Sequence, residues 1–151
     1  MSSRATSLLA TVLLLALGSR AVGAQTLTVS SATGGSLTIN SATAGNDPTG
    51  TNAGASATTY RVRTPNSGAK MRISARLTTA MPPNTTLTLT MAAPTGATAT
   101  PVVLTTVNQD VITNIPLNTN QNLLSISYRL DATASAGVIA LTSRMITLTL
   151  Q

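Results

Sequence analysis

This chain of 151 residues contains no Cys, no His, no Trp and no Phe. It also lacks Glu, so its only acids are Asp47, Asp110 and Asp131. Each absence removes a class of chemistry. Without Cys there is no disulfide and no lipid-modified N-terminal Cys. Without His, a Ser nucleophile loses its usual base; the Ser-Lys variant has only Lys70 to draw on, with no recognisable motif around it. Transition-metal sites want His or Cys ligands. Glycoside hydrolysis needs two placed carboxylates, and three Asp residues in separate loops and strand ends are a poor pool. A Ca²⁺ site built on Asp47 and Asn46 would offer one carboxylate where Ca²⁺ recruits many oxygens, so Asn46-Asp47-Pro48 reads as a turn. The inventory therefore predicts no catalytic residue, no cofactor and no metal.

The first 24 residues read as a signal peptide. Arg4 supplies the positive start, Leu8 to Leu17 the apolar centre, and Val22-Gly23-Ala24 the small residues for cleavage before Gln25. Ten apolar residues are too few to span a bilayer, which takes about 20, and no later stretch comes close. The expectation is an exported protein of the periplasm, cell surface or extracellular space, with no transmembrane segment in the mature chain. Residues 25–151 form a single domain, long enough to bury a core, and with no disulfide that core alone must hold it. The full chain carries +6. Cleavage removes Arg4 and Arg20 and leaves seven basic and three acidic residues, or +4.

Thr supplies 27 of the residues in 25–151 and alternates with Leu, Ile and Val. A β-branched hydroxyl residue suits the solvent face of a strand, so the period-two runs predict an all-β fold. Runs separated by Gly, Pro, Asn and Ser number seven to nine, which fits an immunoglobulin-like antiparallel sandwich. Gln25 to Ser30 opens the series, Gly34-Gly35 turns it, and Leu37 and Ile39 continue it. Residues 40–57 have no large apolar side chain and read as a long flexible loop. Thr58 to Thr64 and Lys70 to Thr78 flank the turn signal Pro65-Asn66-Ser67-Gly68. Thr85 to Met91 puts Leu87, Leu89 and Met91 inward. Val102 to Val107 and Val111 to Ile115 are short apolar runs. Leu123 to Asp131 sets Leu124, Ile126, Tyr128 and Leu130 inward. Val138 to Leu150 changes phase between Leu141 and Ile146, which predicts a bulge or a sheet crossing near Ser143-Arg144.

The sharpest candidate site is basic. Arg61, Arg63, Lys70, Arg72 and Arg76 are five of the seven cations after Gln25. A hairpin in which Tyr60 faces Ile73 and Val62 faces Met71 would set Arg63 opposite Lys70 and Arg61 opposite Arg72 on its outer side. That ribbon would meet an anionic polysaccharide, lipopolysaccharide phosphates or an acidic protein surface. The same cations can instead serve as solvated charges that deter edge-to-edge aggregation. The ribbon has no stacking aromatics of the kind single-strand binders use, and export removes the protein from cytoplasmic nucleic acid, so no nucleic-acid partner is expected. Tyr60 and Tyr128 fall on inward parities, which disfavours a neutral-sugar platform. Asn84-Thr85-Thr86 matches a glycosylation acceptor.

The leader and the Thr-rich strands, with the ending Leu124-Ser125-Ile126-Ser127-Tyr128-Arg129-Leu130-Asp131, Ala136-Gly137 and Ile146-Thr147-Leu148-Thr149-Leu150, make the chain resemble small exported bacterial β-sandwich proteins of the pilin-like and spore-coat-protein-U-like kind. The resemblance implies a non-enzymatic surface or fimbrial subunit. Two features depart from it: many pilins carry a disulfide, and Gln25 to Val29 is short for a donor strand. The leading expectation is a structural subunit that self-associates through its terminal strands. The rival is a monomeric secreted module that recognises an anionic envelope polymer through the basic hairpin.

Overall fold

The computed structural model describes residues 24–30, 37–39, 44, 46–51, 58–136, 140 and 142–151. The expected leader, apart from Ala24, and the Gly34-Gly35 turn lie outside these residues, as do Val138, Ile139 and Leu141. No helix among the described residues is long and apolar enough to cross a membrane.

The described chain is all-β. Its strands are β1 (Thr26–Ser30), β2 (Thr49–Thr51), β3 (Thr59–Arg63), β4 (Met71–Leu77), β5 (Thr85–Met91), β6 (Thr98–Ala99), β7 (Val102–Val103), β8 (Gln109–Ile115), β9 (Asn120–Ala132) and β10 (Ile146–Leu150). One sheet runs β1-β3-β9-β5-β7, with β2 added beside β9; the other runs β10-β4-β8-β6, and every pairing is antiparallel. The two sheets enclose one apolar core. Tyr60 and Val62 of β3, Leu89 and Met91 of β5 and Ile126 of β9 meet Ile73, Ala75 and Leu77 of β4 and Val111, Ile112 and Ile115 of β8.

Alternation builds these faces. In β5, Leu87, Leu89 and Met91 are buried while Thr86 and Thr90 are exposed. Pro82-Pro83-Asn84 turns the chain into β5: Thr85 donates its N–H to the Pro82 carbonyl at 3.2 Å, and Asn84 takes φ 60°. Asn tolerates that left-handed conformation better than most residues. Bulges break the alternation where the core needs it. Between β4 and β8 the register slips on both sides of Ile73, so the consecutive residues Val111 and Ile112 are both fully buried.

The expected pairing of β3 with β4 does not form. β3 pairs with β1 and β9, and β4 with β10 and β8. Residues 64–70 carry the chain from one sheet to the other, across a spacing of about 10 Å. Thr64 anchors that crossing. It is 5% exposed, its hydroxyl donates to the Pro116 carbonyl at 2.8 Å, and it accepts the Thr119 N–H at 2.8 Å. Tyr60 and Val62 face inward in either arrangement, as do Met71 and Ile73, so alternation does not distinguish a hairpin from an arch between sheets.

Three further differences have local causes. Residues 49–51, read as part of a loop, form β2, because the 13-residue β9 extends past β3 and offers Arg129 to Asp131 as partners. Ten strands occur among the described residues where seven to nine were expected; β2, β6 and β7 have only two or three residues each. The last strand begins at Ile146, and residues 140 and 142–145 are not strand. Ile146, Leu148 and Leu150 all pack against the core, so β10 itself contains no change of phase.

Candidate functional site

The five cations of the expected ribbon are divided between opposite outer faces. Arg61 and Arg63 project from the six-stranded sheet, beside Thr28 and Thr26 of β1. Arg72 and Arg76 project from the four-stranded sheet, and Lys70 immediately precedes β4. The proposed oppositions of Arg63 with Lys70 and of Arg61 with Arg72 are therefore absent. The structure corrects the hairpin while keeping every cation exposed.

On the six-stranded face, Arg61 donates from Nε and Nη2 to Asn120 Oδ1 at 3.3 and 3.0 Å. A bulge in β9 sits opposite: Leu124 pairs with Tyr60 and Gln121 with Val62, leaving one extra residue between them. Leu123 lies in that bulge with φ 57° and is 77% exposed. Further along β9, Arg129 and Asp131 form an ion pair at 2.8 Å.

On the four-stranded face, Arg72 Nη1 meets Asp110 Oδ2 at 3.2 Å, with side chains 54% and 38% exposed. Such a solvated pair contributes about 0–1 kcal/mol. Lys70 and Arg76 have no ion-pair partner among the described residues. Beside Arg72 lies an open groove of about 380 Å³, lined by Lys70, Arg72, Asp110, Thr113, Asn114 and Gln151 among others. Three elements bring these together. β4 carries Arg72, β8 contributes Asp110, Thr113 and Asn114, and Gln151 continues β10 by exchanging two backbone hydrogen bonds with Arg72 at 2.7 and 3.0 Å. The groove was illegible in the sequence apart from Lys70 and Arg72. Asn114 is placed by the β8 bulge, where it takes φ 58°, and Gln151 by strand pairing.

Beneath the groove, Ser74 faces outward on β4 yet is 1% exposed. Its hydroxyl accepts the Gln151 amide at 3.1 Å. The remaining polar groups named from the sequence make hydrogen bonds within the fold. Asp47 Oδ1 accepts the Ala134 N–H at 3.2 Å and so holds the short 3-10 turn Ala134–Ala136. No three His, Cys, Asp or Glu side chains gather among the described residues. Asn84 is exposed, and its amide donates to the Ser135 carbonyl at 3.4 Å. Tyr60 is buried in the core with its hydroxyl donating to the Ala92 carbonyl. Burial pushes both the Tyr60 and the Tyr128 phenol above the ordinary tyrosine range.

The described residues offer hydroxyls, amides and guanidinium groups on two broad β faces. Comparison with protein-family models, with curated proteins and with solved structures finds no match to this chain.

Proposed function

We propose that this chain is an exported, non-enzymatic protein of the cell envelope or surface, of the pilin-like or spore-coat-protein-U-like kind. In this reading it is an immunoglobulin-like sandwich that serves as a structural or fimbrial-type subunit and joins its copies through sheet edges. Strand order supports the immunoglobulin-like assignment. The orders β4-β8-β6 and β9-β5 match B-E-D and F-C of that fold. The flanks are filled in an unusual way. The last strand, β10, lies beside β4 where an immunoglobulin domain sets its first strand, and β3 lies beside β9 where that domain sets its last.

The observation that carries the subunit reading is the flank formed by β1 and β10. Among the described residues, β1 joins the six-stranded sheet through β3 alone, and β10 joins the other sheet through β4 and is its outermost strand. β1 and β10 touch, so these two strand edges lie along one side of the sandwich. Leu27 and Val29 of β1 are only half-buried. An open, alternating edge is a template for pairing with another chain. The binding-module rival loses its hairpin to the sheet assignment, although its cations remain exposed.

Light scattering across a concentration series tests the reading. The chain beginning at Gln25 should form larger species as concentration rises. Thr26→Glu with Thr28→Glu, which places charge on the exposed residues of β1 opposite Arg63 and Arg61, should abolish them and leave the thermal midpoint within a few degrees. A strict monomer at every concentration rules the subunit reading out.

A further inference from the structure

We propose that the outer face of the four-stranded sheet binds an extended acidic polysaccharide, with one carboxylate seated in the groove between Lys70, Arg72 and Asn114 and the polymer running along β4 to Arg76. This stands independently of assembly through the β1–β10 flank.

Among the described residues this face carries the cations Lys70, Arg72 and Arg76 and the Asp110 side-chain carboxylate. Strand geometry spaces the cations regularly. Residues on one face of β4 recur every second position, so Arg72 and Arg76 are about 13 Å apart and Lys70 lies about 20 Å from Arg76. The groove opens at one end of this row, lined by Thr113, Asn114 and Gln151, the last of which donates its amide N–H to Ser74. Gln151 lies over Ser74, midway between the two arginines, so the row is polar along its length.

Composition selects the class of ligand. No aromatic side chain lines the groove, which removes the stacking platform that single-stranded nucleic acid uses. Protein hot spots are aromatic or apolar anchors in desolvated pockets, and this groove is open, with Met71 as its one apolar side chain among charged and polar ones. Cations flanked by hydroxyls and amides fit a polymer that alternates carboxylates with hydroxyls. Asp110 moderates the site. It holds Arg72 by an exposed pair and places a negative charge beside the incoming carboxylate.

Binding to polygalacturonate, with dextran as the neutral control, provides the test. The unaltered protein should bind polygalacturonate and not dextran, and the affinity should fall as salt rises, since exposed charges are screened within about 8 Å at physiological ionic strength. Two triple variants with the same net charge separate a site from bulk attraction. Lys70→Thr, Arg72→Thr and Arg76→Thr together should weaken binding about tenfold or more, from three exposed contacts of modest strength each. Arg61→Thr, Arg63→Thr and Arg129→Thr, on the opposite face, should leave it within about twofold. Lys70→Thr alone sits at an exposed position outside any strand and should weaken binding about threefold without touching the fold. Asp110→Asn should tighten it, because Arg72 is released and a repelling charge removed. Equal weakening by the two triple variants, weaker binding by Asp110→Asn, or stronger binding to phosphatidylglycerol vesicles than to polygalacturonate would overturn the proposal.

Discussion

Raising the pH should unfold this protein through its two tyrosines. Tyr60 is 1% exposed, and its hydroxyl donates to the Ala92 carbonyl inside the core. Burial raises its pKa, and that of Tyr128, above the ordinary value of 10.0. An acid with a raised folded-state pKa keeps its proton in the native state while the unfolded chain has lost it. Stability is therefore unaffected by these groups below about pH 10 and falls above it, because the unfolded state then binds fewer protons. Each pH unit beyond that point costs about 1.4 kcal/mol for Tyr60, so roughly 1.4 kcal/mol is lost by pH 11 and about the same again by pH 12. Tyr128 acts in the same direction. The assay pairs urea unfolding between pH 9 and 12 with phenolate absorbance, which has no Trp background because the chain has none. Phenolate should appear together with loss of the β-sheet circular dichroism signal. Tyr60→Phe should lower stability at neutral pH by about 1 kcal/mol, since the Ala92 carbonyl loses its donor. The same variant should flatten the alkaline slope by about 1.4 kcal/mol per unit. Phenolate titrating near pH 10 for both tyrosines in a still-folded protein would refute the burial argument.

Two smaller changes probe the crossing and the bulge. Thr64→Val keeps the shape but removes the acceptor for the Thr119 N–H and the donor to Pro116. Urea unfolding should register a loss of about 1–3 kcal/mol, and an unchanged midpoint would mean that the arch is not anchored there. Leu123→Gly should instead stabilise by about 0.5–1 kcal/mol, because relief of a left-handed leucine exceeds the added chain entropy. A lower thermal midpoint would show that the exposed leucine side chain makes a contribution its 77% exposure does not suggest.

Alternation alone fixes which way the longer strands face. Thr alternating with Leu, Ile or Val leaves one solvated and one apolar side, and the cost of burying the wrong side is large enough to make the choice unambiguous. Hence Tyr60, Val62, Ile73, Leu87, Leu89, Met91 and Ile126 are core residues on parity alone, and the prolines before Asn84 mark a turn. Parity says nothing about partners. The segment Tyr60–Val62 and the segment Met71–Ile73 satisfy the same pattern as a hairpin or as an arch between sheets, and that choice was made by residues far away in the chain. Thr119 and Pro116 hold Thr64 at the crossing, β9 takes the edge of β3, and β8 and β10 enclose β4. The same distant pairings split the basic residues between two faces, brought Asp110 to Arg72, and shaped the groove from Asn114 and Gln151. Bulges were equally out of reach, because a single extra residue at Leu123 or Asn114 is tolerated or rejected by the packing of the opposite strand rather than by local propensity. Facing is a local property with a period of two residues; pairing is a tertiary property, and in this protein the candidate binding surface depends on pairing.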